Sequence, residues 1–443
     1  MQPSIKLTTI LPLRRAIVAV PLLGALLLAL LLVTLGASLA GGAAPNRASV
    51  VVQSGAETRL VRAIDFTAPI SGLKALELSG VAVVTRSFSF GDAVCSIDGV
   101  GCPAEDCFCS SNYWSYWYWG AAGWQEYPVS AGNSVISQTG AVEGWRWGQF
   151  GDLPAPANAS LQALAALDWL APRQTITGDF GGLGATVETV LALGANRQSS
   201  SRATGWLGAT GAAYTHSSPA AAGKLAVALA AADGCLPAGA LTPAGHFSIT
   251  LGAYSAQSGA NAWAILGATA LSETIPAGAV ESLAAQMQPG GGWEWAPGWG
   301  VDTNATALAL QALVAAGEPI TSGAVISGLA YLERVQLADG GFPYAGGATA
   351  ASDANSTAYV VQALVAAGEA PRAARWSQSG GNPFDYLAAR QLAGGGFEWQ
   401  AGAGANLLAT QQAIPALLGR PFPVQRQAIP VCPALYLPLM LRD

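Results

Sequence analysis

The chain has 443 residues, 51% of them hydrophobic and 10% charged, with a formal net charge of −6. That length supports two domains with their own cores, and the acidic balance without a basic patch excludes a nucleic-acid partner. Two histidines, His216 and His246, are too few for a histidine-rich metal site.

The chain opens with Lys6, Arg14 and Arg15 ahead of the run "AIVAVPLLGALLLALLLVTLGASLA", which ends at Ala40. A basic flank, a long apolar run and small residues predict a signal peptide over 1–40. The run also reaches the roughly 20 residues of a membrane helix, so an uncleaved anchor to the cell envelope is the alternative. Either reading places the bulk of the protein outside the cytoplasm, extracellular or at the cell surface.

Residues 47–150 read as a β-rich domain. "SVVVQS" and "TRLVRAIDF" alternate with β-branched residues, and "SGLKALELSG" predicts a short helix stopped by Gly80. Further strands are expected at "VAVVTR", "YWSYWYWG", "GWQEYPV" and "VEGWRWG". Cys95, Cys102, Cys107 and Cys109 fall within fifteen residues. Export permits disulfides, so two bridges are expected among them, with all three pairings open except that a direct Cys107–Cys109 bond would be strained. Zinc is the alternative, but the spacing lacks a Cys-x2-Cys knuckle. Cys235 and Cys432 are isolated, free either to pair or to stay reduced. In "YWSYWYWG", Trp114, Tyr116 and Tyr118 point one way and Tyr113, Trp117 and Trp119 the other. A small domain buries one such face; the other is left to meet the second domain, a ligand or a partner.

A Pro-containing linker is expected over 151–158. From 159 to 420 the chain is built of repeats in Ala, Leu, Gly and Gln. "QMQPGGGWEW", "VQLADGGFPY" and "RQLAGGGFEW" precede helices predicted to start at Thr306, Thr357 and Thr410. Earlier copies are "RQTITGDFGGLGATVETVLALGA", "THSSPAAAGKLAVALAAADG" and "SGANAWAILGATAL". The Ala-rich helices are apolar nearly all round and read as buried, while "SGAVISGLAYLERVQ" reads as half exposed. Six such pairs would close an (α/α)6 toroid, giving a multidomain fold of an N-terminal β-rich domain followed by a toroid. A tail, 421–443, follows.

These repeats resemble the α/α-toroid superfamily of squalene–hopene cyclases, protein prenyltransferases and transcobalamins. "QLADGGF" (Gln336–Phe342) is similar to the cyclase motif Gln-x-x-Asp-Gly-x-Trp, with Phe last. The stretches "AVCSIDGVGCPAEDCFC", "YWSYWYWG" and "VEGWRWG" resemble the small β-domain of transcobalamins and intrinsic factor in bacterial secreted relatives. There the β-domain follows the helices; here it precedes them. "VCPALYLPLMLRD" resembles the terminal tails of some bacterial surface proteins.

The resemblance sets three function classes against one another. "DTNATA" from Asp302 and "DANSTA" from Asp353 are similar to the Asp-x-Asp-Asp-Thr-Ala of cyclases that protonate their substrate, but the middle acid is Asn304 or Asn355. An amide cannot act as the acid of a carbocation-forming enzyme, so Asp302 and Asp353 read as helix caps and no catalytic residue is assigned. No Asp-Cys-His cluster suggests a prenyltransferase zinc site. A glycosidase would use paired carboxylates, for which nothing singles out Glu188, Glu294 or Glu398. The expected function is therefore non-catalytic binding of a small hydrophobic or planar ligand between the β-domain and the toroid mouth, with a corrinoid (cobalamin) as the leading candidate. Candidate contacts are the aromatic residues Trp117, Trp119, Trp295, Tyr344 and Trp399, the rim residues Asp302, Asn304, Asp353 and Asn355, and His216, which the transcobalamin resemblance would bring to cobalt. A terpenoid-type cyclase and a surface adhesion module are the rival readings.

Overall fold

The computed structural model describes residues 44–55, 57–89 and 91–433. The leader expected over 1–40 and the last ten residues of the tail lie outside them. The chain is mixed, with eight strands ahead of the repeats and thirteen helices in all among the described residues.

The strands come first. In chain order they are β1 (Asn46–Ser54), β2 (Glu57–Phe66), β3 (Val83–Phe88), β4 (Gly91–Ile97), β5 (Val100–Gly101), β6 (Tyr113–Gly120), β7 (Gly123–Glu126) and β8 (Val142–Gly148), with helix α1 (Gly72–Leu78) after β2. Five form one sheet in the order β2-β1-β8-β6-β7, with β1 and β8 parallel and the other pairs antiparallel. A smaller sheet has the order β3-β4-β5. Alternation decides what each face meets. Val50, Val52, Leu60, Trp114, Tyr116 and Trp145 pack with Leu76 of α1, whereas Val51, Val61 and Trp124 join a core built from the helical repeats. Strand β4 was not expected from its sequence, "GDAVCSI". Its Cys95 bonds to Cys107, and Cys102 bonds to Cys109, so the four clustered thiols form two disulfides with this pairing.

The helical part runs through α2 (Ala157–Leu170), α3 (Leu183–Ala195), α4 (Ser201–Thr210), α5 (Ala212–Ser217), α6 (Pro219–Ala231), α7 (Ser258–Ala270), α8 (Ala277–Ala285), α9 (Thr303–Ala315), α10 (Gly323–Val335), α11 (Ala354–Ala366), α12 (Pro383–Arg390) and α13 (Leu407–Leu417). The linker is shorter than expected, because α2 already begins at Ala157. Helices α9, α11 and α13 start one turn before Thr306, Thr357 and Thr410, because Asp302, Asp353 and Asn406 are the caps.

Six of these helices are neighbours in a cycle. Helix α3 packs on α6, α6 on α7, α7 on α9, α9 on α11, α11 on α13, and α13 again on α3. Each of the six repeat stretches read from the sequence contains one of them. Small residues let the backbones approach: a Cβ on Gly223 of α6 would lie 2.0 Å from the Trp263 carbonyl oxygen of α7. All thirteen residues of α7 are buried. The other helices pack outside, for example α10 on α9 and α12 on α11. Helix α10 buries Val325, Leu329 and Leu332 and exposes its polar side, the half-exposed pattern expected of "SGAVISGLAYLERVQ".

After α13 the chain does not leave the helices. The Gln362 side chain donates to the Arg420 carbonyl (2.9 Å), Phe422 N–H to Gln311 Oε1 (2.9 Å), Arg426 to the Ala315 carbonyl (2.8 Å) and Gln427 N–H to the Ala270 carbonyl (2.8 Å). Residues 420–427 thus cross the C-terminal halves of α11, α9 and α7 in turn. The strap is then tied down by a Cys235–Cys432 disulfide.

Candidate ligand site at the helix N-termini

The site is assembled by a hydrogen-bond pattern that recurs with the repeats. Thr186, Thr306, Thr357 and Thr410 each donate their hydroxyl to the carbonyl of the residue before their helix (Gly182, Asp302, Asp353, Asn406) at 2.7–2.8 Å. Each hydroxyl also accepts the backbone N–H of the preceding turn's aromatic residue, Phe180, Trp293, Phe342 or Phe397, at 2.8–3.0 Å. The aromatic ring is thereby fixed under its helix, and all four are buried. Two residues before each aromatic stands Gly178, Gly291, Gly340 or Gly395, at φ between 84° and 106°. A Cβ there would come within 2.2–2.5 Å of a backbone oxygen of Arg202, Ser327, Gly381 or Ala165. Only glycine tolerates both the backbone and the contact. The last of these contacts joins the final turn to α2, the first helix of the repeat region, and Gln391 adds a bond to the Gln162 carbonyl at 2.8 Å.

The second aromatic of three turns reaches back to the preceding helix. The carbonyls of Trp295, Tyr344 and Trp399 accept N–H bonds from Gly259, Thr303 and Ala354 at 3.2, 2.7 and 2.8 Å. Each binds an otherwise orphan donor at the start of α7, α9 or α11. These three rings therefore lie at one end of the cycle. Tyr344 is 52% exposed and Trp399 45%, while Trp295 is half-buried over Gly259.

Asp302 and Asp353 belong to the same end but are occupied. Asp302 Oδ1 accepts from Ala305 N–H at 2.7 Å; Asp353 accepts from Ser356 N–H at 2.7 Å and from its hydroxyl at 2.8 Å. Burial raises both carboxyls above their ordinary value, and these cap bonds pull partly the other way. Asn304 and Asn355 stand two residues beyond the caps and are half-buried. Among the described residues no hydrogen-bond partner reaches the buried Asn304 Oδ1. Asn355 Nδ2 donates to Gln412 Oε1 at 2.7 Å.

That bond leads inward. Six residues after each cap position stand Glu188 (after 182), Lys224 (after 218), Trp263 (after 257), Leu308 (after 302), Tyr359 (after 353) and Gln412 (after 406). Lys224 forms an ion pair with Glu188, whose Oε1 also accepts from Gln412 Nε2 at 3.2 Å. The Lys224 ammonium lies 5.0 Å over the Trp263 ring, an attraction of cation to ring quadrupole. Burial lowers the Lys224 pKa, but the Glu188 carboxylate and then the Tyr359 phenol outweigh it, leaving the ammonium above its ordinary value. Burial raises the Tyr359 hydroxyl. An open cavity of about 430 Å³ is lined by Gly184, Glu188, Lys224, Asn406, Leu408 and Gln411. Its volume is within the range of small-molecule sites. Phe422 of the strap lies behind Trp263, ring centroids 5.5 Å apart.

The remaining expected contacts are elsewhere. The sheet meets the C-terminal ends of the helices, not the capped ends. Val61 N–H donates to Asn196 Oδ1 (2.7 Å), Thr58 N–H to the Leu418 carbonyl (2.9 Å), and Arg62 to the Asn196 and Arg197 carbonyls (both 2.9 Å). Trp117 is buried, its ring N–H on Ser115 Oγ at 2.7 Å. Trp119 packs edge-on against Trp124 at 5.1 Å. Neither joins Trp295, Tyr344 and Trp399. A cleft closed by the sheet over the capped mouth is thus corrected: the domain contacts put its second face on the helices instead. His216 is exposed at the end of α5, not in a loop, and its Nε2 lies 2.9 Å from the Gly239 carbonyl. Among the described residues no group of His, Cys, Asp and Glu is arranged to hold a metal, and no helix is long and apolar enough to cross a membrane.

Lys224, Tyr359, Gln412 and Trp263 escaped the sequence reading. Their signal is a constant offset from the cap, visible once the six repeats are aligned on it. No protein-family model matches the chain, and no curated protein matches it either.

Proposed function

We propose that the six-helix cycle is an (α/α)6 toroid of the cyclase–transcobalamin type, and that the protein is an exported, non-catalytic binder holding a small ligand in its capped mouth. The observation carrying this reading is the polar tier of Glu188, Lys224, Gln412 and Asn355 on neighbouring helices, of which Glu188 and Lys224 line an open cavity. Polar groups at this depth are costly unless partnered, and a ligand supplies a partner for Asn304 Oδ1, which has none among the described residues. Three disulfides are compatible with an oxidising, extracellular setting. The non-catalytic part rests on Asp302 and Asp353, whose carboxylates are committed to helix N-termini. A corrinoid held between sheet and helices is disfavoured. The second cavity, lined by Arg62, Asp98, Arg197 and Gln425 between sheet and helices, measures about 300 Å³, at the lower limit of small-molecule sites and too small for a corrin with its side chains.

The reading is tested by a thermal-shift screen of the full chain against small polar compounds. Stabilising hits should vanish in Gln412→Ala while the far-ultraviolet spectrum is kept. Hits indifferent to that substitution, or squalene cyclised by the wild type but not by Asp302→Asn, would sink it. Cobalamin should leave the tryptophan fluorescence unquenched.

A further inference from the structure

We infer that the ligand is a neutral oligosaccharide, stacked on Trp295, Tyr344 and Trp399 at the rim and hydrogen-bonded by the tier below; this rests on the mouth being the ligand site. A pyranose has an apolar C–H face and a girdle of hydroxyls. It is matched by aromatic faces beside amides and carboxylates, which accept and donate in the plane of the ring. The capped end of the cycle has that composition, with the three aromatic residues bonded at helix starts and Glu188, Lys224, Asn406 and Gln411 in the cavity. Tyr344 and Trp399 keep about half their surface in water, which leaves ring faces free for a sugar to stack on. Asn304 offers a buried oxygen without a partner among the described residues, and a sugar hydroxyl would donate to it. A flat hydrocarbon would leave that oxygen unsatisfied.

Charge selects neutrality. Glu188 and Lys224 are paired with each other, so an anionic sugar would compete for Lys224 and strand Glu188, and a cationic one the reverse. Stranding one member of a largely buried pair is strongly unfavourable. Repetition selects an oligomer. The three aromatic residues come from consecutive turns, before α9, α11 and α13, and the backbone carbonyl of each accepts from the start of the helix before its own. A single sugar covers one such platform; a chain of sugars can span them.

The experiment passes the full chain, labelled, over a glycan array carrying neutral and acidic oligosaccharides, followed by calorimetry with the best neutral glycan. Retention of neutral glycans is expected. Trp399→Ala and Tyr344→Ala should each weaken binding about tenfold, equivalent to 1.4 kcal/mol, while Phe150→Ala, at a site 88% exposed beyond β8, should not. Retention of acidic glycans alone, or of none, overturns the sugar assignment. If amino acids or nucleosides from the thermal-shift screen then bind in a manner lost in Gln412→Ala, the mouth stands and only the ligand class falls. Glycan binding untouched by Trp399→Ala and Tyr344→Ala overturns the placement of the sugar on these rings.

Discussion

Asp302 and Asn406 do the same job with different side chains: each accepts the N–H three residues on, at 2.7 and 2.9 Å. Asp302→Asn should therefore fold with stability close to wild type at neutral pH, whereas Asp302→Ala should lose about 0.5–2 kcal/mol, read by urea denaturation. Burial raises the Asp302 carboxyl above its ordinary 3.8. A raised carboxyl contributes stability fully below that value and loses it as pH rises through the folded value. The wild type should thus gain on Asp302→Asn as the pH falls towards 3.8. Lys224 and Glu188 are less forgiving, with side chains 20% and 9% exposed. Lys224→Met should cost about 3 kcal/mol, because the carboxylate is left unpaired, and adding Glu188→Gln should restore most of it. The Lys224 ammonium is held above 10.5, so its contribution is present below that pH and lost above it. The Lys224→Met and wild-type curves should converge in strong alkali. At this scale the caps were legible, since Asp302 and Asp353 carry the short oxygen side chains that suit that post. The tier was not: Lys224 in "AAAGKLAVALAA" and Tyr359 in "STAYVVQAL" read as isolated polar interruptions of buried helices. Their meaning depends on six helices meeting.

The turn between an outer and an inner helix is the repeating element, and glycine fixes its geometry. Gly395→Ala would need φ of 91° and would drive a methyl to 2.2 Å from the Ala165 oxygen. It should lower stability by about 3 kcal/mol, measured by thermal or urea denaturation. Gly394→Ala, with open space around its Cβ position, should be nearly neutral. The turns were legible because Gly-Gly-aromatic recurs with a buried helix behind it. The helix starts were misread by one turn because Asp and Thr both cap helices. In "DTNAT" the Asp is the cap, and the Thr hydroxyl turns back to the cap carbonyl. Strand β4 was missed because its pairing with β3 and its disulfide, rather than its own residues, hold it.

Across the whole molecule, the long-range ties decide what local pattern cannot. Val61 meets Asn196 across 135 residues and Glu57 meets Arg420 across 363. Nothing in the local pattern of "TRLVRAIDF" or "LGRPF" announces that the sheet belongs at the C-terminal ends of the helices, and so the sheet was expected at the wrong end. The strap has the same character: read alone, residues 421–433 are a Pro-rich tail. Its Cys235–Cys432 bridge spans 197 residues. Cys432→Ser should lower stability by about 2–5 kcal/mol, towards the upper end for so long a loop. Protease cleavage between Val424 and Pro430 should follow, detected as faster nicking than in the wild type. Unchanged stability and nicking would mean that the hydrogen bonds of Gln362, Arg426 and Gln427 hold the strap unaided.

The constant offset of the lumen side chains from their caps has one more consequence. The residues that shape the turns and those that face the cavity occupy different positions of each repeat. A change at Glu188 or Lys224, which line the cavity, alters its chemistry without touching the threonine and glycine contacts that hold the turns. The six-helix cycle is in this respect a tumbler lock: the pins are single side chains at one offset on each helix, each recut by a single codon while the casing stays the same. Divergence among proteins of this build should then collect at the pins and spare the casing.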